Sequence, residues 1–370
     1  MKPSILFIMH VPPPVHGAAM VGKFIKESAR INDIFEADYI NLSTSKDLKE
    51  IGGAGAGKII KLLKIQSEVA KALSGKKYDL CYVTLTASGA GFYKDLMVVG
   101  ILKMFGKKVI YHFHNKGVGF EGKSVLTDAL YRFVFNKSFS ILLSKSLYYD
   151  VKAYAPPENV FFCANGIPAN LSVKISEKPD NKVCRLLFLG NLMESKGLLV
   201  LLEACRIVKQ QGHVFECHFV GGWTDITPEQ FAAKVSEYHL EGTVFAHGPK
   251  YDQKKRDFLA KSDVLVFPTF YHFEAFPLVI LEAMQSSLAV ISCPEGGIPD
   301  IVVEGETGYL VPQKNAVALA EKISLLINNP DIRTRMGQAG KERFDALFTI
   351  DSFERNITDI LSTAVERQPV

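Results

Sequence analysis

"CRLLFLG", residues 184–190, decides the fold, because it starts a pattern that the chain has already run once. It is an unbroken apolar run of strand length that ends on a glycine. It follows "NLSVKISEKPDNK" (170–182), a polar segment with Pro179 that reads as an interdomain linker. Ahead of the linker, "SILFIM" (4–9), "DLCYVTL" (79–85), "KVIYHFH" (108–114), "FSILLS" (139–144) and "NVFFCA" (159–164) are runs of the same kind. Continuous rather than alternating apolar runs suit parallel strands covered on both faces. Segments 58–73 and 92–105 between them carry apolar residues at helical spacing. After residue 184 come "FECHFVG" (215–221), "TVFAHG" (243–248), "DVLVFPT" (263–269) and "LAVIS" (288–292), with helices between, and from about 315 the pattern is helical to the end.

Strand–helix alternation made twice predicts an α/β chain of two doubly wound, Rossmann-like domains. The expected spans are 1–170 and 183–346, with a C-terminal helix over 347–370 packing back on the first domain. Ligands of such folds sit at the carboxyl ends of the strands. Two such domains facing one another make the cleft between them the expected site.

Composition narrows the function. Of 370 residues, 48% are hydrophobic and 22% charged, which allows a sizeable core and excludes wholesale disorder. A net charge of +4 is too weak to argue for nucleic acid, yet suits anionic ligands or an anionic membrane surface. The six cysteines are scattered, with no C-x-x-C and no Cys/His spacing for zinc, so no metal is expected and a reducing cytoplasm fits. The opening "MKPSILFIMHVPPP" is too short in its apolar part for a signal peptide and reads as a first strand. No run of eighteen apolar residues is present, so no membrane span is expected.

"GGAGAGKI" (52–59) contains G-x-x-x-x-G-K but continues with Ile59 where a phosphate-binding loop needs Ser or Thr, so it reads as a turn before a helix. That helix, 58–73, is amphipathic and carries Lys58, Lys61 and Lys64. It either packs on the core with a solvated lysine edge or lies on anionic lipid.

"HFEAFPLVILEAM" (272–284) sets Glu274 and Glu282 eight positions apart around an apolar run. Burying a carboxylate there is costly unless something binds it. Pro277 suits the first turn of a helix. Glu274 then lies in the strand-to-helix loop, and Glu282 lies about one and a half turns into the helix. Amides near Ala275 to Val279 point out of the helix start, where a phosphate is favoured. The plain alternative is a helix-start acid and a surface acid.

This stretch resembles the E-x7-E signature of glycosyltransferase family 4, the glycosyl transferases group 1, which are retaining enzymes of the GT-B fold. The resemblance continues through "FLGNLMESKGLLVLLEA" (188–204), "VFAHG" (244–248), "SDVLVFPT" (262–269), "LEAM" (281–284), "GGIPDIV" (296–302) and "GETGYLV" (305–311), in the family's order. "CANGI" (163–167) resembles the turn that closes the family's first domain. The second half is covered densely, and the first matches mainly in strand order.

The resemblance implies a nucleoside diphosphate sugar donor and a set of roles. Glu282 would accept from ribose hydroxyls and Glu274 from donor-sugar hydroxyls. The backbone of Ala275, Phe276, Pro277 and Leu278 would line the sugar and diphosphate. Lys196 would pair with the diphosphate and steady the leaving group. Gly190 and Asn191 would lie beside it, Pro249 and Lys250 at the base, and Gly17 in a phosphate loop after the first strand. In "YHFHN" (111–115) the family places a histidine at the donor sugar; His114 is the choice, with His112 two residues back and His10 a lesser candidate. Catalytic roles are thus assigned to His114, Lys196 and Glu274.

Asn191 stands where family members often carry Arg, so one of two expected diphosphate cations is missing. Ser287 replaces a usual glycine. No D-x-D occurs, which fits a site without metal and without cofactor. The resemblance implies attack from the face of the departing group, with the β-phosphate oxygen taking the acceptor proton. The acceptor is a sugar or a lipid-linked sugar, with peripheral membrane contact as a corollary, in polysaccharide, glycolipid or glycoconjugate synthesis. Two rival readings are a nucleotide-sugar 2-epimerase and an inactive donor-binding subunit of a partner transferase. A nicotinamide-dependent dehydrogenase would need G-x-G-x-x-G after strand one, which "MHVPPPVHGAAM" lacks.

Overall fold

The structure, a computed structural model, describes residues 2–14, 16–43, 56–121, 124–169 and 183–370. The expected linker at 170–182 and most of the glycine-rich turn (52–55) lie outside the described residues. The chain divides into two compact units, Met1–Gly166 with Ile350–Val370, and Ile167–Thr349.

In the first unit six strands form one parallel sheet: β1 (Ser4–Met9), β2 (Glu36–Asn41), β3 (Leu80–Leu85), β4 (Val109–Phe113), β5 (Phe139–Leu142) and β6 (Val160–Phe162), in the order β2-β1-β3-β4-β5-β6. β1, β3, β4 and β5 are buried along their whole length, which is why they read as unbroken apolar runs. β2, "EADYIN", was missed by the sequence reading: it is an edge strand with only Ile40 buried.

The last helix, Ile350–Glu366, completes this unit. Its Phe353, Ile357, Leu361 and Ala364 join Phe7, Tyr82, Ile110, Val21 and Ile31 in one buried cluster. The spacing of those four residues is one helix face. Lys108 Nζ donates to the carbonyls of Ala364, Val365 and Arg367 at 3.2, 2.6 and 2.7 Å, capping the helix with positive charge at its negative end.

The second unit repeats the plan with β7 (Cys184–Leu189), β8 (Phe215–Val220), β9 (Val244–Ala246), β10 (Val264–Phe267), β11 (Ala289–Ser292) and β12 (Gly308–Leu310), all parallel, in the order β12-β11-β10-β7-β8-β9. β12 is again an edge strand, only three residues long, and no apolar run announced it. Helices Ala316–Asn328 and Pro330–Leu347 cover the sheet. Ile167 N donates to Phe348 O at 3.0 Å, tying the two ends of the unit together. Two parallel six-stranded sheets with surrounding helices are the GT-B architecture expected from the sequence. Among the described residues no helix is long and apolar enough to cross a membrane.

Candidate active site

The carboxyl edge of the second sheet is built by close backbone contacts. Gly190 follows β7 in the left-handed region, φ 144°, and its N–H donates to Val220 O at 3.0 Å. A β-carbon on Gly221 would fall 1.7 Å from Gly190 O, so the ends of β7 and β8 touch only because glycine stands there.

The chain then makes a short turn, Glu194–Lys196, that ends on Gly197 at φ 86°. A β-carbon on Gly197 would sit 2.2 Å from Pro268 O, and Phe270 N donates to Ser195 O at 2.8 Å. The turn is thereby held against the loop leaving β10, which brings Lys196 to Glu274. Gly197→Ala meets both obstacles, the positive φ and the clash. It is expected to cost about 3 kcal/mol or more of stability, measured by denaturant unfolding, and to lower activity with it.

Lys196 Nζ is ion-paired with Glu274 Oε2. The side chains are only 16% and 11% exposed, so the charges are largely desolvated. The ammonium also lies 4.7 Å from the Tyr271 ring centroid and 5.4 Å from that of Phe267, a geometry favourable to a cation. Behind the loop, Gly296 at φ 56° leaves no room for a side chain, whose β-carbon would lie 2.2 Å from Glu274 O. Gly297 N donates to Ala275 O at 2.6 Å. "GGIPD" is therefore the rest on which the Glu274 loop lies.

Pro277 is the cap residue of the helix Leu278–Gln285, one position before the first turn where the sequence reading put it. Its fixed φ of −70° still sets the entry. The amides of Ala275, Phe276, Leu278 and Val279 have no hydrogen-bond partner among the described residues. Ala275 and Phe276 are buried, and the Phe276 ring packs on Phe348 at 5.9 Å, so these residues offer backbone, not side chain, to a ligand.

Glu282 faces Lys255 of the helix Asp252–Lys261, with Lys255 Nζ 2.6 Å from Oε1. Glu282 Oε2 is buried without a partner. An unpaired buried carboxylate oxygen is costly and is an open acceptor. Lys255 was not singled out from the sequence, since in "DQKKRDFLAK" nothing distinguishes it from Lys254 or Arg256.

Asn191 is exposed and supplies no charge; Pro249 is exposed and Lys250 half-buried after β9. Neither Pro249 nor Lys250 makes a hydrogen bond or ion pair with Lys196, Glu274 or Glu282 among the described residues.

In the first unit the histidines form their own group. His112 and His114 project from the end of β4 with ring centroids 4.2 Å apart. His112 Nδ1 is 2.6 Å from the Tyr82 hydroxyl, and its Nε2 is buried and unpartnered. Both ring nitrogens of His114 are shielded from solvent and unpartnered.

Lys94 Nζ donates to His10 Nε2 at 3.1 Å, which puts the proton of His10 on Nδ1. His16 Nδ1 accepts from Ala19 N at 3.3 Å and caps the helix Gly17–Glu27. Gly17 is the first residue of that helix, and a side chain on it would meet nothing within 4 Å. The close approach is at Gly22, whose β-carbon would lie 2.0 Å from His10 O. His16, Lys94 and Gly22 were not picked out from the sequence.

Burial, reinforced by His10 and His16, lowers the His114 pKa to about 3, and burial pushes His10 and His112 down as well. Below pH 6.5 the unfolded chain binds a proton that folded His114 refuses. The histidine therefore costs about 1.4 kcal/mol per pH unit as pH falls from 6.5 toward 3, and nothing above 6.5. His114→Gln is expected to flatten that acid limb in denaturant midpoints taken against pH. It should leave stability above pH 7 nearly unchanged.

Residues 172–343 match the family described as glycosyl transferases group 1. The matched residues fall within the second unit, Ile167–Thr349. The chain has sequence relatives among known glycosyltransferases. It is 32% identical over 170 residues to the amylovoran biosynthesis glycosyltransferase AmsK of Erwinia amylovora, covering 45% of this chain and 41% of that one. It is 28% identical over 196 residues to the capsular polysaccharide biosynthesis glycosyltransferase CapM of Staphylococcus aureus, covering 51% and 50%. The chain spans about half the length of the curated relatives it matches, or less. In fold the whole chain resembles Anabaena HepE, solved in complex with UDP, at TM-score 0.74 and 18% identity over 98% of this chain and 100% of that one.

Proposed function

We propose that the chain is a retaining glycosyltransferase that moves a sugar from a nucleoside diphosphate sugar to an acceptor hydroxyl in polysaccharide, glycolipid or glycoconjugate synthesis. The observation that carries this reading is the desolvated Lys196–Glu274 pair in the unit whose Leu278–Gln285 helix starts with unpartnered amides. A diphosphate is the ligand that uses both features, since an ammonium and free helix-start amides favour the same anion. Relatives named for polysaccharide biosynthesis and fold neighbours solved with UDP or UDP-glucose support the same reading.

In this reading Glu282 Oε2, open in the ligand-free chain, accepts from a ribose hydroxyl. The diphosphate draws Lys196 away from Glu274, which then accepts from donor-sugar hydroxyls. Asn191, Gly190, Pro249, Lys250 and Gly17 line the nucleotide through backbone groups. His114, held neutral by burial, donates to or accepts from a sugar hydroxyl.

The bond from the anomeric carbon to the β-phosphate oxygen breaks, and the acceptor oxygen bonds on the same face. The acceptor proton passes to the departing phosphate. Lys196 and the helix-start amides meet the charge that grows there, a role that needs neither a metal nor a cofactor. The setting in this reading is the cytoplasm, consistent with six buried free thiols.

A thermal-shift panel of UDP, GDP, ADP and dTDP sugars tests the reading, since a ligand bound to the native state raises the melting temperature. At least one nucleotide sugar should stabilise the wild type and not Lys196→Met. Consumption of that donor without an acceptor would instead favour the epimerase reading. A flat panel for the wild type would sink the proposal.

A further inference from the structure

The connections β2 to β3, β3 to β4 and β4 to β5 all step the same way across the first sheet. Right-handed crossovers therefore place their helices, Ala56–Gly75, Gly89–Met104 and Val125–Phe135, side by side on one face of it. Each helix runs back along a parallel strand, so their first turns share the carboxyl edge of the sheet. A contact of 3.2 Å between Gln66 Nε2 and Met97 Sδ joins the first two helices.

Each helix buries an apolar stripe farther along its length: Ile65, Val69 and Leu73 in the first, and Tyr131, Val134 and Phe135 in the third. The opening turns of the two outer helices are different. Ile59, Ile60 and Leu63 are 61%, 67% and 59% exposed, and Val125 and Leu126 are 90% and 67% exposed. Tyr93 and Met97 of the middle helix are exposed as well. First turns ordinarily carry polar, capping and acidic residues. The exposed apolar starts of the two outer helices, with Tyr93 and Met97 in the second and third turns of the middle one, form a rim for which the core has no use.

Charge selects the occupant. The described lysines of the helix Ala56–Gly75 are Lys61, Lys64 and Lys71, against the single acid Glu68. A second copy related by a two-fold axis would bring this lysine row against itself. We infer that the rim lies on an anionic lipid surface, with the apolar first turns in the headgroup boundary and the lysines among the phosphates. This surface stands without the transferase reading. Only its consequence rests on that reading: an acceptor drawn from the bilayer would arrive at the carboxyl edge of the first sheet.

Vesicle flotation of the full chain tests the inference. The chain should float with vesicles of phosphatidylcholine and phosphatidylglycerol in equal parts and stay behind with phosphatidylcholine alone. The variant Ile59→Ser/Ile60→Ser/Leu63→Ser should bind about ten-fold or more weakly. Val125→Ser/Leu126→Ser, on a separate helix, should weaken binding independently, and both should melt at the wild-type temperature. No flotation with the anionic vesicles would overturn the inference. So would unchanged flotation of both variants, or a dimer in light scattering that the triple variant separates.

Discussion

Lys196→Met is expected to lower kcat/KM for sugar transfer by about 10²- to 10³-fold, equivalent to about 3–4 kcal/mol of transition-state stabilisation. Methionine keeps the length and the packing on Tyr271 and Phe267 but removes the charge. In the proposed mechanism negative charge on the leaving diphosphate grows as the glycosidic bond breaks, and Asn191 provides no second cation. The same ammonium holds the diphosphate of the bound donor, so the loss should appear in KM for the donor as well as in kcat.

The substitution also strands Glu274, whose side chain is 11% exposed, and an unpaired buried carboxylate destabilises the fold. A second change separates the two effects. Lys196→Met/Glu274→Gln removes the stranded charge, so it should regain stability without regaining turnover. Glu274→Gln alone frees the ammonium. It should bind the nucleoside diphosphate product more tightly than wild type while transferring poorly, because it has lost the acceptor for the sugar hydroxyls. Steady-state kinetics and product titration read both outcomes. Near wild-type transfer by Lys196→Met would remove this residue from the chemistry.

The second large effect is on stability. Phe353→Ala should cost the first unit about 3–5 kcal/mol, and Leu361→Ala about 2–5 kcal/mol. Both side chains are at most 1% exposed and sit in the cluster that the last helix shares with Phe7, Tyr82 and Val21. Hydrogen exchange followed by peptide in rising denaturant checks this. Protection in β1, β3 and β4 should fall, and that in β7, β8 and β10 should hold. Equal loss in both units would mean that the helix does not serve the first core alone.

Much of this fold was legible because parallel strands buried on both faces leave unbroken apolar runs. "SILFIM" and "LAVIS" became β1 and β11 within a residue of their expected bounds. The edge strands β2 and β12 were not legible: one is largely polar and the other only three residues long. Within the site, Glu274, Glu282 and Lys196 stood out by spacing and by family likeness. Their surroundings did not. Lys255 is one cation in a charged helix until the fold sets it 2.6 Å from Glu282. Gly22 was passed over for Gly17 because a close backbone contact with His10 is a property of two segments that only the folded chain brings together. His16 and Lys94 escaped for the same reason.

The first unit closes its core with residues 350–370, which leave the ribosome after the whole of the second unit has been made. The usual order, in which the amino-terminal domain matures first during synthesis, is then reversed. The segment that translation delivers first waits, with the docking groove for its missing helix open to chaperones, while the second unit is free to fold ahead of it.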